Sequence, residues 1–281
     1  MILVTDSGST KTDWGFFNSK ADLRTFRTAG INPCHQTMDQ IREIIRLELL
    51  SKADDIDPED ITQVHFYGAG CATPSICRSM EDLLHEFFPN AAIVAASDML
   101  GAARALCGRS EGVACVLGTG SNSCLYNGQD IIGQVPSLGY ILGDEGSSAA
   151  LGRRLLSDCL KHQLPEALSQ EFMQRNNLDM DTILDNVYRK PLPNLFLAGF
   201  SPFLSEKKDV PEIHKLLVQC FSEFFTRNVI SYHRPWLPVH FVGSVAENFA
   251  QELTQAADML GMTVGNIMAA PLEGLVDYHS N

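Results

Sequence analysis

The sequence predicts an α/β protein built of two similar domains. Its 281 residues exceed the length of one typical core, and 45% of them are hydrophobic, as in packed globular proteins. The predicted order of elements, three strands followed by alternating helices and strands, restarts after Gly108. In each half, a turn rich in glycine and hydroxyl groups follows the first strand. We therefore expect one domain over residues 1–107, completed by a C-terminal helix over about 268–281, and a second domain over residues 108–267.

The elements of the first half follow from its hydrophobic pattern. Apolar and β-branched runs predict strands over residues 2–5, 11–17, 23–28, 61–69 and 91–96. Apolar residues at helical spacing predict helices over residues 39–52, 75–88 and 98–107. Pro89 ends the second of these helices, because proline cannot continue the hydrogen-bond ladder of a helix.

The second half repeats the three-strand start and then becomes mainly helical. Its predicted strands cover residues 112–117, 121–127, 130–135, 239–242 and 263–267. Its predicted helices cover residues 146–162, 166–176, 180–189, 210–232 and 245–260, with a final helix from Leu272. The sequence contains no low-complexity linker and no repeat of fixed period, so the duplication lies in the order of elements.

The charge of the chain excludes one class of partner. With 21 Lys and Arg against 34 Asp and Glu, the formal net charge is −13. Nonspecific binding to nucleic acid depends on Lys and Arg neutralising the phosphate backbone, so we expect no nucleic-acid partner. A nucleotide site is still compatible with this charge, because backbone amides and a metal ion can hold phosphates.

Cysteine usage and hydropathy predict a cytoplasmic protein. The eight cysteines form no C-x-x-C pair, which argues against structural zinc, and several lie in apolar runs as buried reduced thiols do. The sequence has no apolar stretch long enough to span a bilayer and no basic segment before the first strand. We therefore expect no signal peptide and no membrane partner.

Three turns of glycine and hydroxyl residues give the strongest functional signal. They are Asp6-Ser7-Gly8-Ser9-Thr10-Lys11, Gly118-Thr119-Gly120-Ser121-Asn122-Ser123 and Gly243-Ser244-Val245-Ala246. Each one follows a short β-branched run, and glycine at such a strand end lets backbone amides approach a phosphate closely. Three of these turns, with carboxylates between them, predict a nucleotide-binding protein.

The motifs also resemble those of a known family. Besides the three turns, the matching segments are Ala29-Gly30-Ile31-Asn32, Ser97-Asp98-Met99-Leu100-Gly101-Ala102, Gly143-Asp144-Glu145-Gly146-Ser147 and Leu197-Ala198-Gly199-Phe200. Spread over nearly the whole chain, they are similar to those of the N-acetylglucosamine kinase family. That family belongs to the activator-ATPase group of the actin, hexokinase and heat-shock-chaperone ATPase superfamily. The resemblance implies two ribonuclease-H-like domains with a nucleotide cleft between them, the actin-like ATPase fold.

The resemblance also assigns residues to the phosphates and the nucleoside of ATP. The implied phosphate ligands are Gly8, Ser9, Thr10 and Lys11 of the first turn and Gly118, Thr119 and Gly120 of the second. Ala198, Gly243 and Ser244 match positions that line the adenosine pocket. Without the family, Lys11 points equally well into solvent, and the second turn taken alone is better explained as an ordinary hairpin turn between two strands.

Asp6 is the expected Mg²⁺ ligand. It ends the first strand and faces the first phosphate turn, and Mg²⁺ often uses only one or two carboxylates, keeping several of its waters. The alternative for Asp6 is a cap of the N-terminal turn.

Asp98 is the expected catalytic base and also a sugar ligand. A carboxylate at a helix start can accept a proton from a sugar hydroxyl as the phosphoryl group moves. The alternative, a helix N-cap, is compatible with this role if Ser97 caps the helix and Asp98 faces the substrate.

The other expected sugar ligands are Asn32, Asp144, Ser121 and Asn122. The amide of Asn32 can both donate to and accept from sugar hydroxyls, although an asparagine before Pro33 is also a common turn residue. Glu145, beside Asp144, is equally suited to the first turn of a helix.

One departure from the family affects the expected substrate. Where kinases of the family carry Gly-Gly-Trp before the Gly-Asp-Glu-Gly segment, this chain has Pro136-Ser137-Leu138. The expected reaction is phosphorylation of N-acetylglucosamine to its 6-phosphate, with N-acetylmuramic acid and glucosamine as alternative acceptors. A second alternative is an activator ATPase that couples ATP hydrolysis to a partner protein. Such activators hold an iron–sulfur cluster with closely placed cysteines, which this chain lacks. The oligomeric state is left open, with a homodimer as one option.

Overall fold

Strand β1 lies at the centre of a five-stranded sheet in the computed structural model, which describes residues 1–8 and 10–280. The strands of this sheet are β1 (Ile2–Ser7), β2 (Lys11–Phe17), β3 (Arg24–Ala29), β4 (Gln63–Gly68) and β5 (Ala92–Ser97). Their order is β3-β2-β1-β4-β5. The hairpin strands β1, β2 and β3 run antiparallel, whereas β1, β4 and β5 run parallel. The parallel strands β1, β4 and β5 therefore direct their carboxyl ends to one edge of the sheet.

The helices associated with this first sheet begin with clear capping signals. They are α1 (Met38–Ile44), α2 (Pro74–His85) and α3 (Asp98–Cys107), with short 3₁₀ helices at Lys20–Asp22 and Pro58–Asp60. Thr37 caps α1 and Thr73 caps α2, each accepting a hydrogen bond from a backbone N–H of the first turn. The helix expected over residues 39–52 changes to a π-helical segment at Ile45–Leu49. Trp14, Phe66 and Phe88 fill the core.

A second five-stranded sheet repeats the order of the first among the described residues. Its strands are β6 (Glu111–Leu117), β7 (Ser121–Asn127), β8 (Ile131–Gly133), β9 (Val239–Val242) and β10 (Val264–Met268). They are ordered β8-β7-β6-β9-β10, so each sheet reads third, second, first, fourth, fifth strand of its own set. Strand β9 runs parallel to both β6 and β10.

The helices that follow in the chain are α4 (Gly139–Leu142), α5 (Ser148–Leu160), α6 (Glu166–Arg175), α7 (Met180–Tyr188), α8 (Pro193–Ala198), α9 (Ser201–Glu206), α10 (Pro211–Phe224), α11 (Ser244–Asn248), α12 (Ala250–Met259) and α13 (Leu272–His279). Helix α10 continues as a π-helical segment, Phe225–Val229, and a 3₁₀ turn, Ile230–Tyr232. The single helix expected over residues 245–260 is broken at Phe249, whose φ of −117° and ψ of 32° leave the helical region. The short helices α4, α8 and α9 were not predicted.

The described residues group into two compact units. The first contains Met1–Glu111, Tyr126–Ile131 and the residues from Ala270 onward, and the second contains Gly112–Leu125 and Ile132–Ala269. Helix α13 therefore returns to the first unit, where it packs against α3, β1 and β2. Gly274 permits this approach, because a Cβ there would lie 2.6 Å from the carbonyl oxygen of Ala105. Within the described part of the chain, no helix is both long enough and apolar enough to cross a bilayer.

Candidate active site

The first phosphate-type turn joins β1 to β2. The backbone N–H of Gly8 donates to the carbonyl oxygen of Lys11 at 2.9 Å, and Gly30 N–H donates to that of Thr10 at 3.2 Å. Thr10 is exposed. Ser9, the remaining predicted phosphate ligand of this turn, lies outside the described residues. The turn therefore presents Gly8 and Thr10 at the carboxyl end of β1.

Lys11 forms an ion pair with Asp13 beside the turn, and its side chain is 49% exposed to solvent. Its Nζ lies 2.9 Å from Oδ2 of Asp13, and Nε of Arg27 lies 2.6 Å from Oδ1 of the same carboxylate. Although burial opposes the shift, hydrogen bonds from Arg27 and Lys11 hold the pKa of Asp13 below its usual range. Asp13 is therefore ionised and fixes the position of the Lys11 ammonium group.

Asp6 lies in a cluster of carboxylates at the end of β1. In the register of the sheet it lies opposite Asp13 on strand β2 and opposite Tyr67 on strand β4. Burial raises its pKa to about 7, and the charges of Asp98 and Asp13 contribute to the rise while Lys11 opposes it. A hard divalent cation bound to Asp6 would favour the ionised carboxylate against the burial that chiefly raises this pKa. Among residues 1–8 and 10–280, no group of three or more His, Cys, Asp or Glu side chains is arranged to hold a metal.

Asp98 begins α3 without serving as its cap. The cap is Ser97, whose Oγ accepts a hydrogen bond of 3.2 Å from the N–H of Leu100. Asp98 Oδ1 accepts a hydrogen bond of 2.8 Å from Met99 N–H, and its side chain remains accessible to solvent. Desolvation by the surrounding protein raises the pKa of Asp98, and the Met99 hydrogen bond partly offsets this rise. Asp98 is thus an accessible carboxylate of raised basicity.

Asn32 is buried within the turn that contains it. Its side-chain Oδ1 accepts a hydrogen bond of 3.0 Å from Cys34 N–H, and its backbone N–H donates to Gln36 Oε1 at 2.7 Å. Gly70 packs directly against the amide, because a Cβ on Gly70 would lie 2.2 Å from Asn32 Oδ1. The turn role of Asn32 is therefore present, and its amide orientation is fixed by these neighbours.

In the second unit, the middle turn is bound to the start of α5. Gly118 N–H donates to the carbonyl oxygen of Gly120 at 3.0 Å, and the carbonyl oxygen of Gly118 accepts from Ser148 N–H at 2.9 Å. Ala149 N–H donates to the carbonyl oxygen of Thr119 at 3.3 Å. The first N–H groups of a helix have no partner within it, so these contacts satisfy donors at the start of α5 while fixing the turn. The Thr119 side chain is left exposed.

The same turn holds Asp144. Ser121 N–H donates to Asp144 Oδ1 at 3.2 Å, and a Cβ on Gly120 would lie only 3.1 Å from Asp144 Oδ2. Desolvation raises the pKa of Asp144, and the Ser121 hydrogen bond counteracts the rise. Asp144 itself has a φ of 55°, in the left-handed region. Next to Ser121, the Asn122 Oδ1 accepts from Ser123 N–H at 2.9 Å.

The third turn borders a cleft of about 600 Å³ in the second unit. Gly243 has a φ of 123°, and a Cβ there would lie 2.2 Å from the carbonyl oxygen of Leu117, so only glycine fits. The structure brings three predicted nucleotide residues, Thr119, Ala198 and Ser244, together in the walls of this cleft. Wall residues that the sequence did not indicate are Ser148, Ser201, Pro202, Ser205, Glu206, Val245 and Asn248. Most belong to short helices that periodicity does not detect.

A second pocket, of about 290 Å³, lies next to Asp144 in the same unit. Its polar wall is an ion pair between Glu145 Oε1 and Arg227 Nε at 2.5 Å, with Asn228 Nδ2 at 3.2 Å from Glu145 Oε2. Glu145 is 10% exposed and Arg227 is 54% exposed, so the guanidinium group faces outward. The other wall residues are Val135, Pro136, Ser137, Leu138, Leu142 and Gly143. Sequence reasoning missed Arg227 and Asn228, although both lie in the π-helical segment that interrupts a long helix, a frequent feature of functional sites.

Comparisons with known proteins identify the family and the fold of the chain. The chain is similar to a solved structure from Porphyromonas gingivalis named "Putative N-acetylglucosamine Kinase", with 48% identity, a TM-score of 0.93 and coverage of 100% of this chain and 99% of that one. A protein of the same name from Chromobacterium violaceum is 17% identical with a TM-score of 0.71, covering 99% and 98%. A ROK family glucokinase from Streptomyces griseus, solved with glucose and AMPPNP, is 13% identical with a TM-score of 0.62, covering 98% and 97%. No family model and no curated protein matches the chain.

The Chromobacterium violaceum and Streptomyces griseus structures show that the chain has the same fold as these two proteins. The Porphyromonas gingivalis protein is in addition similar in sequence to the chain over its whole length. The fold is the α/β actin-like ATPase fold, as expected, with two mixed five-stranded sheets. With 48% identity over 100% of its residues, the chain therefore belongs to the N-acetylglucosamine kinase family, a family of ATP-dependent sugar kinases.

Proposed function

We propose that this protein transfers the γ-phosphoryl group of ATP to N-acetylglucosamine and forms the 6-phosphate. One observation carries the proposal: a single turn borders the cleft and also binds the Asp144 carboxylate. Thr119 of this turn lines the 600 Å³ cleft, and two residues later Ser121 N–H binds the Asp144 carboxylate. A nucleotide in the cleft and a sugar bound to Asp144 would therefore meet at the middle turn. Transfer of a phosphoryl group between them requires this proximity.

The nucleotide would occupy the cleft of the second unit. Its adenosine would lie against Ala198, Gly243 and Ser244, where small side chains leave room for a flat base. Its phosphates would be bound by the middle turn at Gly118, Thr119 and Gly120, and by the first turn at Gly8, Ser9, Thr10 and Lys11. The Lys11 ammonium group, held by Asp13, would add a fixed positive charge near the phosphates.

The sugar would be oriented by Asp144, Asn32, Ser121 and Asn122. Asp98 would accept the proton of the attacking hydroxyl, whose oxygen forms the new bond to phosphorus as the bond to ADP breaks. Desolvation raises the pKa of this carboxylate, which makes it a stronger base than an ordinary aspartate. Asp6 would hold Mg²⁺, which when bound neutralises charge on the phosphates.

The pocket beside Asp144 supports an amino sugar that carries an acetyl group. Leu138 is 60% exposed and Leu142 is 68% exposed, and both line this pocket. A hexose bearing only hydroxyl groups offers little apolar surface to such side chains, whereas an acetamido methyl group does. The guanidinium group of Arg227 on the opposite wall could donate to the acetamido oxygen.

A coupled assay of ADP release over a panel of sugars tests the proposal. N-acetylglucosamine should give the highest kcat/KM, above N-acetylmuramic acid, glucosamine and glucose, and mass spectrometry should detect its 6-phosphate. Preference for another sugar of the panel would retain the kinase and change its substrate. ADP release that no sugar accelerates would instead support the activator ATPase.

A further inference from the structure

The hydroxyl group of Tyr232 lies in the middle of a chain of hydrogen bonds in the second unit. It accepts a hydrogen bond of 3.1 Å from the backbone N–H of Val135, and it lies 2.8 Å from Ser123 Oγ. Ser123 Oγ donates to the carbonyl oxygen of Asn228 at 3.4 Å. Because a serine hydroxyl has one proton, Tyr232 is the donor to Ser123. These four residues are called the Tyr232 chain below.

The Tyr232 chain is shielded from solvent. Tyr232 is 9% exposed, and Ser123 and Asn228 are buried as well. Burial raises the pKa of Tyr232 to about 12, so its hydroxyl keeps the proton that it donates. Linked hydrogen bonds strengthen one another in a medium of low dielectric constant, and a buried donor that loses its partner is costly. The chain therefore holds its members at fixed separations.

The two segments that this hydroxyl joins are the two that hold Asp144. Ser123 lies in β7, two residues after Ser121, whose N–H binds the Asp144 carboxylate. Val135 lies two residues before Ser137, whose carbonyl oxygen accepts a hydrogen bond of 3.1 Å from the backbone N–H of Asp144. One segment thus fixes the side chain of Asp144, and the other fixes its backbone.

The segment over residues 134–138 depends on Tyr232 more than β7 does. Strand β7 is hydrogen-bonded to β6 and β8 in the sheet, whereas residues 134–138 follow the end of β8 and form neither strand nor helix. The backbone N–H of Val135 therefore takes a side-chain hydroxyl as its partner. Removal of this hydroxyl would leave the N–H unsatisfied and release the start of the segment.

We propose that Tyr232 is a positioning residue for the sugar, whose hydroxyl holds β7 and residues 134–138 at the separation that places Asp144 for binding. This role rests on the proposed function, since it takes Asp144 as a sugar ligand. Tyr232 is not among the described residues that line the pocket beside Asp144, so it acts through Asp144 and not by contact with the sugar.

Steady-state kinetics of Tyr232→Phe test this role, because the variant removes the hydroxyl and keeps the ring. The KM for the sugar should rise about tenfold, while kcat and the KM for ATP stay within about twofold of the parent values. The matched control is Tyr126→Phe, which removes another buried hydroxyl of β7, bonded to the carbonyl oxygen of Gly108 at 3.1 Å. Both variants should lower the melting temperature, but only Tyr232→Phe should change the sugar KM. A parent-like sugar KM in Tyr232→Phe, or equal changes in the two variants, would overturn the proposal.

Hydrogen exchange followed by mass spectrometry tests the same role without substrate. Peptides that contain Val135 or Asp144 should exchange several-fold faster in Tyr232→Phe than in the parent and in Tyr126→Phe. Unchanged exchange at Asp144 would overturn the proposal even if the sugar KM rises. A parent protein whose ADP release no sugar accelerates would instead reject the proposed function, whereas faster exchange at Asp144 would still support the link from Tyr232 to this carboxylate.

Ser123→Ala keeps the proposal testable if Tyr232→Phe fails to fold. It removes the bond between Tyr232 and β7, so the sugar KM should rise in the same direction, and a parent-like value would overturn the proposal. Where both variants fold, the double variant should be no worse than the more affected single variant, because both break one chain. Independent effects that multiply in the double variant would contradict the Tyr232 chain as a unit.

Discussion

The backbone N–H of Ser121 donates a hydrogen bond of 3.2 Å to Oδ1 of Asp144. This bond joins the first residue of β7 to a loop 23 residues later, so the carboxylate is oriented by the turn that also supplies Thr119 to the cleft. Gly120 lies between Thr119 and Ser121, and its lack of a side chain leaves room for both carboxylate oxygens of Asp144.

Gly120→Ala should weaken sugar binding selectively. The new Cβ would lie 3.1 and 3.2 Å from the two Asp144 oxygens, so the carboxylate must move by a few tenths of an ångström. We expect the KM for the sugar to rise about tenfold, equivalent to roughly 1.4 kcal/mol, and to change more than the KM for ATP, because a glycine can contact a phosphate only through its backbone. The matched control is Gly118→Ala, where a Cβ meets nothing within 4 Å and the sugar KM should stay at the parent value. Equal sugar KM values for the two variants would argue against Asp144 as a sugar ligand.

Asp98→Asn should abolish most turnover while leaving ATP binding intact. The amide oxygen can still accept the Met99 hydrogen bond, and Ser97 still caps α3, so the melting temperature should be preserved. The amide cannot accept the sugar proton, and we expect kcat to fall by about 10²- to 10⁴-fold. Titration calorimetry with a non-hydrolysable ATP analogue measures the retained binding. Near-normal kcat in this variant would remove Asp98 from the role of base.

Ala198→Leu should interfere with the nucleotide and not with the sugar. Ala198 lines the 600 Å³ cleft, and three additional carbons there would occupy space assigned to adenosine. We expect the KM for ATP to rise roughly tenfold while the sugar KM changes little. Asn194→Leu, on the same helix but away from the cleft lining, is the control for general damage to α8. A parent-like KM for ATP in Ala198→Leu would place the adenosine elsewhere.

Leu138→Ala should reduce the preference for an acetylated sugar. Leu138 lines the pocket beside Asp144, and the methyl group of the acetamido substituent would lose its apolar contact there. The kcat/KM for N-acetylglucosamine should fall about tenfold, with little change for glucosamine. Ile141→Ala is the control, because Ile141 is 68% exposed in α4, the helix that Leu138 precedes, yet does not line the pocket. Parallel losses with both sugars would mean that Leu138 shapes the loop and not the acetyl pocket.

Two stacked histidines should contribute less to the stability of the first unit in mildly acidic solution. His65 and His279 stack with ring centroids 3.7 Å apart, and Tyr67 OH lies 2.9 Å from His279 Nε2. Burial, assisted by the charge of Arg104, lowers the pKa of His65 to about 4. Burial, followed by the charges of His65, Arg104 and Arg109, lowers the pKa of His279 to about 3.

At these two histidines the unfolded chain binds protons below pH 6.5 and the folded chain does not, so their contribution to folding stability decreases as the pH falls from 6.5 towards 4. Asp6, whose pKa is raised to about 7, contributes in the opposite direction, so the comparison of the parent with a histidine variant isolates the histidine effect. Urea midpoints measured at pH 7.5 and 5 check this, both values being chosen to bracket the ordinary histidine pKa of about 6.5. His279→Gln keeps a polar partner for Tyr67 and should flatten the dependence. An equal loss of stability in the variant and the parent would assign the effect to other groups.

The sequence predicted the strand ends and the turns well, because they depend on local residues. Ser97-Asp98 after the apolar run of β5 predicted a cap with an accessible carboxylate beside it, and α3 begins at the predicted residue. The partners of these turns could not be predicted in the same way. Glu145 and Asn228 meet across 83 residues, and the π-helical segment that brings Asn228 there has the same periodicity as ordinary helix over so short a length. Such contacts depend on tertiary packing, which a single sequence does not display.

The close contact between Gly243 and Leu117 limits which substitutions the protein can tolerate at residue 243. The α-carbon of Gly243 faces the carbonyl oxygen of Leu117, the residue immediately before the middle turn. Any larger residue at 243 would push that carbonyl, and the displacement would reach Gly118 and Thr119. Residue 243 and residues 117–120 are more than a hundred positions apart in the chain, yet a substitution in one of these segments should affect which residues the other can accept. In a selection for restored growth, suppressors of a Gly243 substitution should arise at residues 117–120 more often than near residue 243 itself.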